Sequence, residues 1–326
     1  MADYIRWLRG QVGPALLPLV FATAIVRDSS GRILFQRRSD FGSAYAWWGL
    51  PGGLFEPGET PEGCLRREML EEIPASQRRG RDLRVEPRRL TSVYSSARYR
   101  VTYPNGDQVQ QVTLCYECEW LDGDLRPEPG EVDALAFFAP DALPQRPLWY
   151  ADMLDHAQNG SHPPYFDPPE RAHIHTPYLS LPSVQAVLGR GSLVWPTARA
   201  AVLDEAGRLL LQRSSVTVAW SLPGGPLETG ESLAHTAVRA TREQTGLEIV
   251  PTALLGVFAG EEVVCASGER LYPVATLLAC RASGRATRTA RGQDRATDAA
   301  FFDRDQLPAL SASERVLAQA ALTTGA

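Results

Sequence analysis

Residues 53–75 read GLFEPGETPEGCLRREMLEEIPA, and this stretch decides the fold of the chain. In its second half, Glu68, Glu71 and Glu72 stand at i, i+3 and i+4, so a helix would place all three on one face. Neighbouring carboxylates repel one another, and clustered oxygen ligands suit Mg²⁺ or Mn²⁺ better than zinc. The stretch therefore predicts an acidic helix that holds a divalent cation.

The sequence also marks the ends of this helix. Thr60 suits the N-cap, Pro61 suits the first helical position, and Pro74 must stop the helix. Gly52 and Gly53 come just before it, and their lack of side chains lets the backbone approach a ligand closely. We expect a glycine-rich loop followed by a short helix.

The chain contains two copies of this glycine loop and the helix after it, an arrangement that we call the frame. A shift of 172 positions places residues 48–53 on residues 220–225, and similar shifts align the segments on either side. Repetition at this period indicates two whole domains, because solenoid repeats are far shorter. We expect a catalytic domain at 1–160, a proline-rich linker at 161–177 and a second domain at 178–326.

The same order of elements is predicted in each copy. A short helix is followed by two strands that meet at Gly31 or Gly207, then by the glycine loop and its helix. Residues 104–106 predict a hairpin with a two-residue Asn-Gly turn, and helices at 148–158 and 312–322 close the copies. Strands and helices are mixed, so we expect an α/β fold in which each half is an α/β/α sandwich around a mixed β-sheet.

The spacing of the first copy resembles the Nudix hydrolase signature GX5EX7REUXEEXGU, since it reads Gly53-x5-Glu59-x7-Arg67-Glu68-Met69-x-Glu71-Glu72. The departures lie at the end, where Pro74 replaces the last glycine and Ala75 replaces the last bulky apolar residue. These changes alter the exit from the helix and leave the acidic face intact. The two copies thus resemble tandem Nudix domains.

The resemblance implies a metal-dependent pyrophosphohydrolase that cleaves a nucleoside diphosphate linked to another moiety. It also implies Mg²⁺ or Mn²⁺ as the cofactor. The metal ligands would be the carbonyl of Gly53 and the side chains of Glu68, Glu71 and Glu72.

Further catalytic roles are implied for residues around the acids. Arg67 would orient the carboxylates by bidentate pairing, and Glu71 would act as a ligand. The general base would be Glu72 or a loop acid such as Glu131. Arg37 and Arg38 are weaker candidates that would contact a substrate phosphate, because a surface role fits them equally well.

The second copy keeps the frame and loses the acids. Ser232 and Gly246 mark the ends of the helix, but Ala240 and Gln244 stand where two of the three ligands would be. Arg242 adds a positive charge nearby. We expect a Nudix-like domain without hydrolase activity.

Two other functions remain open on the sequence. One is a non-catalytic sensor that binds a nucleotide such as ADP-ribose, which the intact acids of the first copy disfavour. The other is RNA 5′-end pyrophosphohydrolysis, which arginine runs at 78–89 and 281–295 allow but the net charge of -5 does not favour. We expect both runs to be solvated loops.

The composition indicates a soluble globular protein of 326 residues, 44% of them hydrophobic. Five scattered cysteines fit a reducing compartment better than a disulfide framework, so we expect a cytoplasmic protein. The apolar run at 14–26 imitates a signal peptide, but its counterpart at 194–203 lies in mid-chain and indicates a strand. No membrane or nucleic-acid partner is expected, and a homodimer is compatible with the pattern.

Overall fold

The computed structural model describes residues 2–38, 48–73, 84–122, 132–158, 163–213, 219–264, 268–283 and 298–324. The chain divides into two compact units. Unit 1 comprises Met1–Tyr94 and Tyr99–Tyr165, and unit 2 comprises Ser95–Arg98 and Phe166–Ala326. The domain limits given above stay a prediction.

In the described residues, unit 1 is built on a mixed sheet of nine strands with three α-helices. Its elements are α1 (Ala2–Val12), β1 (Leu17–Arg27), β2 (Ile33–Arg38), β3 (Trp48–Gly49), β4 (Gly52–Leu54), α2 (Pro61–Glu72), β5 (Arg84–Tyr94), β6 (Arg100–Thr102), β7 (Gln108–Asp122), β8 (Val132–Phe138), α3 (Leu148–Gln158) and β9 (Tyr165–Phe166). The strand order is β3-β2-β1-β7-β5-β9, with β4 on β1, β6 on β7 and β8 on β2. β1 and β7 run parallel and form the centre of the sheet.

Unit 2 repeats this plan, with fewer strands in the part of the chain that the structure describes. Its elements are α4 (Leu181–Leu188), β10 (Ser192–Val202), β11 (Leu209–Arg213), β12 (Gly224–Pro226), α5 (Leu233–Thr245), β13 (Ile249–Phe258), β14 (Val263–Val264), β15 (Arg270–Ala282), β16 (Asp298–Phe302) and α6 (Ala312–Thr324). The main sheet has the order β12-β10-β15-β13 with β14 on β15, and β11 pairs with β16 separately. β10 and β15 are again parallel, so the expected α/β architecture around a mixed sheet is confirmed in both halves.

β4 and β12, the short strands that begin with the paired glycines, have the same register in their two units. Gly53 lies opposite Ala22 on β1, and Gly225 lies opposite Ala198 on β10. Each sheet also buries its core beside the closing helix. In unit 1 this core contains Leu50 and Met153, among others. The residues that repeat in the sequence therefore occupy equivalent positions in the two units.

The capping residues behave as predicted. The Thr60 side chain accepts a hydrogen bond from the backbone N–H of Gly63 at 3.1 Å, and α2 ends at Glu72. In unit 2, Ser232 accepts from the N–H of His235 at 3.2 Å. Gly246 ends α5 with φ of 73°, a left-handed conformation that suits glycine.

The hairpin forms, but its turn differs from the predicted two-residue turn. The N–H of Gly106 donates to the carbonyl of Tyr103, so Pro104 and Asn105 are the central residues. A two-residue Asn-Gly turn needs positive φ at both of its central residues, and only Gly106 has it here. Pro104 has a fixed negative φ that favours an ordinary turn followed by a left-handed glycine.

The expectation of a solvated loop is wrong for part of the first arginine run. Arg88 and Arg89 lie in β5 and pair with glutamates on the neighbouring strand β7. Arg88 Nε donates to Glu119 at 2.9 Å, and Arg89 Nη2 donates to Glu117 at 3.0 Å. Opposite charges on adjacent strands stabilise the pairing. Residues 78–83 of the run lie outside the described residues.

Four of the five cysteines lie within the described residues. Cys64, Cys115, Cys118 and Cys280 are buried free thiols, and Cys265 lies outside the described residues. Burial raises the pKa of each of the four thiols, which keeps them protonated and unreactive. In the described ranges, no helix has the length and apolar character needed to span a membrane.

Candidate active site

Arg67 joins the acidic side chains of α2 to the loop before it. Its Nε and Nη2 donate to the two oxygens of Glu59 at 2.6 and 2.9 Å. Nη1 donates to Glu68 at 2.7 Å and to Glu71 at 3.2 Å, and Nη2 also donates to the carbonyl of Leu54 at 2.8 Å. The bidentate pairing is thus made with Glu59, while the candidate ligands receive single bonds.

Glu68 is completely buried and only half satisfied. Its Oε1 is held by Arg67, but its Oε2 has no hydrogen-bond partner. Burial, together with the charges of Glu72 and Glu71, raises the pKa of Glu68 to about 8 against the opposing effect of Arg67. A buried carboxylate oxygen without a donor is costly unless a proton or a cation binds to it.

Glu72 is buried beside Glu68 and is held from the sheet. Its Oε1 accepts from Gln36 Nε2 at 2.8 Å, and its Oε2 accepts from the N–H of Gly52 at 3.1 Å. The sequence pattern did not single out Gln36 as a functional residue. The available signal was its recurrence as Gln212 in the second copy.

The donor set fits a hard divalent cation. Three carboxylates and the loop of Gly53 supply oxygen only, and Glu68 Oε2 is an unpaired buried acceptor. Within the described ranges, no three acidic, imidazole or thiol side chains converge as ready-made metal ligands. Arg67 currently engages Glu68 and Glu71, so a cation would have to compete with the guanidinium for their oxygens.

A cavity of about 620 Å³ lies beside the glycine loop of unit 1. Its floor is one face of the parallel pair β1 and β7, formed by Leu19, Phe21, Thr23, Val109, Gln111 and Thr113. Gln36, Gly52 and Gly53 line the end nearest the acids. Its volume is that of a small-molecule site, and its lining combines apolar side chains with a few polar groups.

Arg37 packs on an aromatic ring, and Arg213 makes the same contact in the second copy. The guanidinium carbon of Arg37 lies 5.8 Å from the ring centroid of Trp48, and in unit 2 that of Arg213 lies 5.1 Å from the centroid of Trp220. Because the same contact occurs in the copy that lacks the acids, it supports the frame of the domain. A phosphate contact for Arg37 stays a prediction.

Two predicted residues cannot be placed. Glu131 lies outside the described residues, and so does the side chain of Arg38, although its backbone belongs to β2. Their suggested roles as base and phosphate contact stay predictions.

Unit 2 keeps the structural ion pair of the site. Arg239 donates from Nε and Nη2 to the two oxygens of Glu231 at 2.8 and 3.0 Å, as Arg67 does to Glu59. Burial alone would raise the pKa of Glu231, but the hydrogen bonds and charge of Arg239 outweigh it and lower that pKa. This pair therefore belongs to the frame that both copies share.

The acidic positions of unit 2 hold neutral groups. Ala240 stands at the position of Glu68, and a Cβ on Gly225 would lie 3.6 Å from it, an ordinary contact. Gln244 accepts from the N–H of Gly224 at 3.0 Å and donates to the carbonyl of the same residue at 2.7 Å. The neutral amide of Gln244 thus forms hydrogen bonds with both backbone groups of Gly224, and it carries no charge that a cation would have to balance.

An ion pair also changes the neighbouring surface of unit 2. Arg199 lies opposite Gly224, the register position that Thr23 has in unit 1. Its Nη2 lies 3.3 Å from Glu314 Oε1, and the other oxygen of Glu314 accepts from the N–H of Leu222 at 2.9 Å. A charged pair therefore stands where unit 1 has an uncharged threonine facing its cavity.

Comparison with known proteins identifies the family. The NUDIX domain profile matches residues 18–157 and 194–320. A "MutT-like protein" of Streptomyces ambofaciens is 32% identical over 164 residues, which cover 50% of this chain and 91% of the relative. A "Nucleoside triphosphatase NudI" of an Enterobacter species is 28% identical over 42% of this chain and 92% of its own length.

A third relative is matched over a smaller part of its length. The "NAD-capped RNA hydrolase NudC" of Chromobacterium violaceum is 29% identical over 42% of this chain, and the match spans only 44% of that relative. The two profile matches together cover most of the chain and coincide with the two repeats. The chain belongs to the Nudix family as a tandem of two Nudix domains, and it is a hydrolase of phosphorus-containing acid anhydrides.

Proposed function

We propose that unit 1 is a metal-dependent pyrophosphohydrolase that cleaves a nucleoside diphosphate linked to another moiety. The observation that carries this proposal is the fully buried Glu68, with one oxygen unpaired, on the helix next to a cavity of about 620 Å³. Two of the relatives are named for nucleoside triphosphates and NAD-capped RNA, which share a nucleotide joined through a phosphoanhydride.

The acids of α2 would hold Mg²⁺ or Mn²⁺, which members of the family generally use. The ligands would be the side chains of Glu68, Glu71 and Glu72, with the carbonyl of Gly53. A bound cation supplies charge neutralisation on the diphosphate and lowers the pKa of bound water. Glu71 is the most exposed of the three acids, so it is the side chain best able to exchange Arg67 for a cation.

The side chains of unit 1 position these acids. Arg67 fixes Glu59 and binds Glu68, so the acidic face keeps its arrangement before any ligand arrives. Gln36 and the N–H of Gly52 hold the two oxygens of Glu72, which orients it as an acceptor for a proton from the attacking water. Glu131 remains the alternative base.

Unit 2 would be non-catalytic. Gln244 is bound to the backbone of Gly224 in both directions, and Ala240 offers no oxygen. The Arg199–Glu314 pair places charge at the position of Thr23, which argues against an equivalent substrate pocket. These three differences support a structural role for this domain.

An RNA 5′-end substrate is less well supported. In β5, the guanidinium groups of Arg88 and Arg89 are paired with Glu119 and Glu117. Charge that is neutralised within the sheet contributes little to phosphate binding.

The test is a substrate panel with the full chain. Release of phosphate or nucleoside monophosphate would be measured from ADP-ribose, dinucleoside polyphosphates, normal and oxidised nucleoside triphosphates and nucleotide sugars, with Mg²⁺, with Mn²⁺ and with a chelator. We expect metal-dependent release from at least one class. A folded protein that binds ADP-ribose but turns over no compound with either metal would instead support a sensor.

A further inference from the structure

Gln36 is a buried amide next to the acidic side chains of α2. It lies on β2 opposite Gly49 of β3, and only 2% of its surface is exposed. It lines the cavity of unit 1 together with Gly52 and Gly53. Because its Nε2 also donates to Glu72, this amide contacts an acid of α2 and borders the cavity at the same time.

The hydrogen bond to Glu72 fixes the orientation of the Gln36 amide. An ionised carboxylate accepts hydrogen bonds and donates none, so the amide atom that faces it must be Nε2. This bond measures 2.8 Å, and among the described residues no donor reaches Oε1 of Gln36. A buried carbonyl oxygen without a donor is unfavourable, so we expect a donor that does not belong to the chain to bind there.

The chemistry of the site limits what that donor is. The oxygens of an ionised diphosphate accept hydrogen bonds and donate none, so the reacting group of the substrate does not fit Oε1. A water molecule and a sugar hydroxyl both carry the required hydrogen.

The position of the amide beside Glu72 selects water from these two. The nitrogen and oxygen of one amide lie about 2.2 Å apart, so Gln36 Oε1 lies within about 5 Å of Glu72 Oε1. A water molecule bridges two acceptors at that spacing, because it donates to each of them over about 2.8 Å. Both hydrogens of such a water are bound, and its lone pairs remain for attack on phosphorus.

We propose that Oε1 of Gln36 holds the water that attacks the diphosphate, by accepting one of its hydrogens while Glu72 accepts the other. This inference rests on the proposed function of unit 1. The oxygen of the water bonds to phosphorus, the anhydride bond breaks, and the proton passes to the base, since an amide oxygen binds a hydrogen without removing it. Orienting the nucleophile raises kcat and leaves the binding of the substrate unchanged.

Unit 2 has the equivalent amide without the acidic neighbour. Nε2 of Gln212 donates to the hydroxyl of Ser221 at 2.8 Å, and its Oε1 is unpaired as well. Gln244 stands at the position of Glu72 and is bonded to Gly224. The fold thus places a glutamine in both units, and Gln212→Leu is a matched control.

The test separates the two polar atoms of the Gln36 side chain. Gln36→Lys keeps a donor for Glu72 and removes the acceptor, whereas Gln36→Leu removes both. For each full-length variant, kcat and KM would be measured with saturating Mn²⁺ on the compound of the substrate panel that the wild type cleaves fastest. The affinity for α,β-methylene-ADP, which has no cleavable anhydride bond, would be measured by calorimetry with the same metal.

We expect the kcat of Gln36→Lys to fall about tenfold, to the level of Gln36→Leu. The KM of Gln36→Lys and its affinity for α,β-methylene-ADP should stay within about twofold of the wild type. Gln212→Leu should match the wild type throughout. A wild-type kcat in Gln36→Lys overturns the inference, because the donor alone would then suffice. A raised KM or a weakened affinity for the analogue with kcat unchanged also overturns it, because Oε1 would then contact the substrate or the metal.

Two further outcomes are decided by the same measurements. If the buried ammonium of Gln36→Lys lowers the melting temperature so far that the protein does not fold, Gln36→Leu takes its place, and an unchanged kcat in that variant overturns the inference. A wild type that cleaves no compound of the panel refutes the proposed function, and the inference fails with it. An active wild type together with a fully active Gln36→Lys refutes the inference alone.

Discussion

Gly53 and Glu68 are packed so closely that no side chain fits between them. A Cβ on Gly53 would meet the carboxyl group of Glu68 at less than 3.0 Å, a distance that real Cβ atoms essentially never show. In unit 2, a Cβ on Gly225 would make an ordinary 3.6 Å contact with Ala240. The glycine is therefore sterically required only in the copy that carries the buried glutamate.

Replacing this glycine should disable the acidic site. Gly53→Ala must displace the Glu68 carboxylate, and we expect it to weaken Mn²⁺ binding by at least about tenfold, a typical effect of disturbing the support of a metal ligand. The control Gly225→Ala should leave binding unchanged. Calorimetric titration of Mn²⁺ into each full-length variant measures both. Equal Mn²⁺ affinity in the two variants would refute the link between Gly53 and Glu68.

Removing Arg67 should destabilise unit 1 more than removing its neighbour. Arg67→Gln removes the hydrogen bonds from the guanidinium to Glu59, Glu68 and the carbonyl of Leu54, and we expect a loss of about 3 kcal/mol in the free energy of unfolding. Arg66→Gln removes only an exposed pair with Glu86 and should cost less than about 1 kcal/mol. Urea unfolding curves test this, and similar losses for the two variants would contradict it.

Unit 2 should lose stability in acid through Glu231. The folded pKa of Glu231 lies below its ordinary value of 4.5, so its pairing with Arg239 stabilises the fold above that pH. This contribution is lost as the pH falls from 4.5 through the folded pKa. Melting temperatures from pH 7 to pH 3 should therefore fall less steeply for Glu231→Gln than for the wild type. Parallel curves for the two proteins would show that Glu231 does not contribute.

Local sequence rules predicted the frame, whereas side-chain partners depended on tertiary structure. Thr60 and Ser232 could be recognised as caps because a cap is fixed by its neighbours within one turn. The partner of Glu72 could not, because Gln36 comes from a strand brought close only by the sheet. The hairpin turn was misjudged because Pro104 outweighed the Asn-Gly pair.

The hydrogen bond from Gln36 to Glu72 should raise the kcat of the enzyme. Gln36→Leu removes the donor to Glu72 Oε1, and we expect kcat to fall about tenfold, as for other groups that orient a ligand. Gln212 provides the control, because its Nε2 donates to Ser221 Oγ at 2.8 Å in the copy without the acids. Steady-state kinetics of Gln212→Leu should match the wild type. An unchanged kcat in Gln36→Leu would remove Gln36 from the site.

The central claim is that one copy of the repeat carries the chemistry and the other only the frame. The most direct measurement is metal-dependent release of nucleoside monophosphate by full-length Glu72→Gln and Glu243→Gln, which change an acid of α2 and the remaining acid of α5. We predict that Glu72→Gln abolishes turnover and that Glu243→Gln keeps the wild-type rate. Activity of Glu72→Gln near the wild-type level, or its loss in Glu243→Gln, would contradict the account.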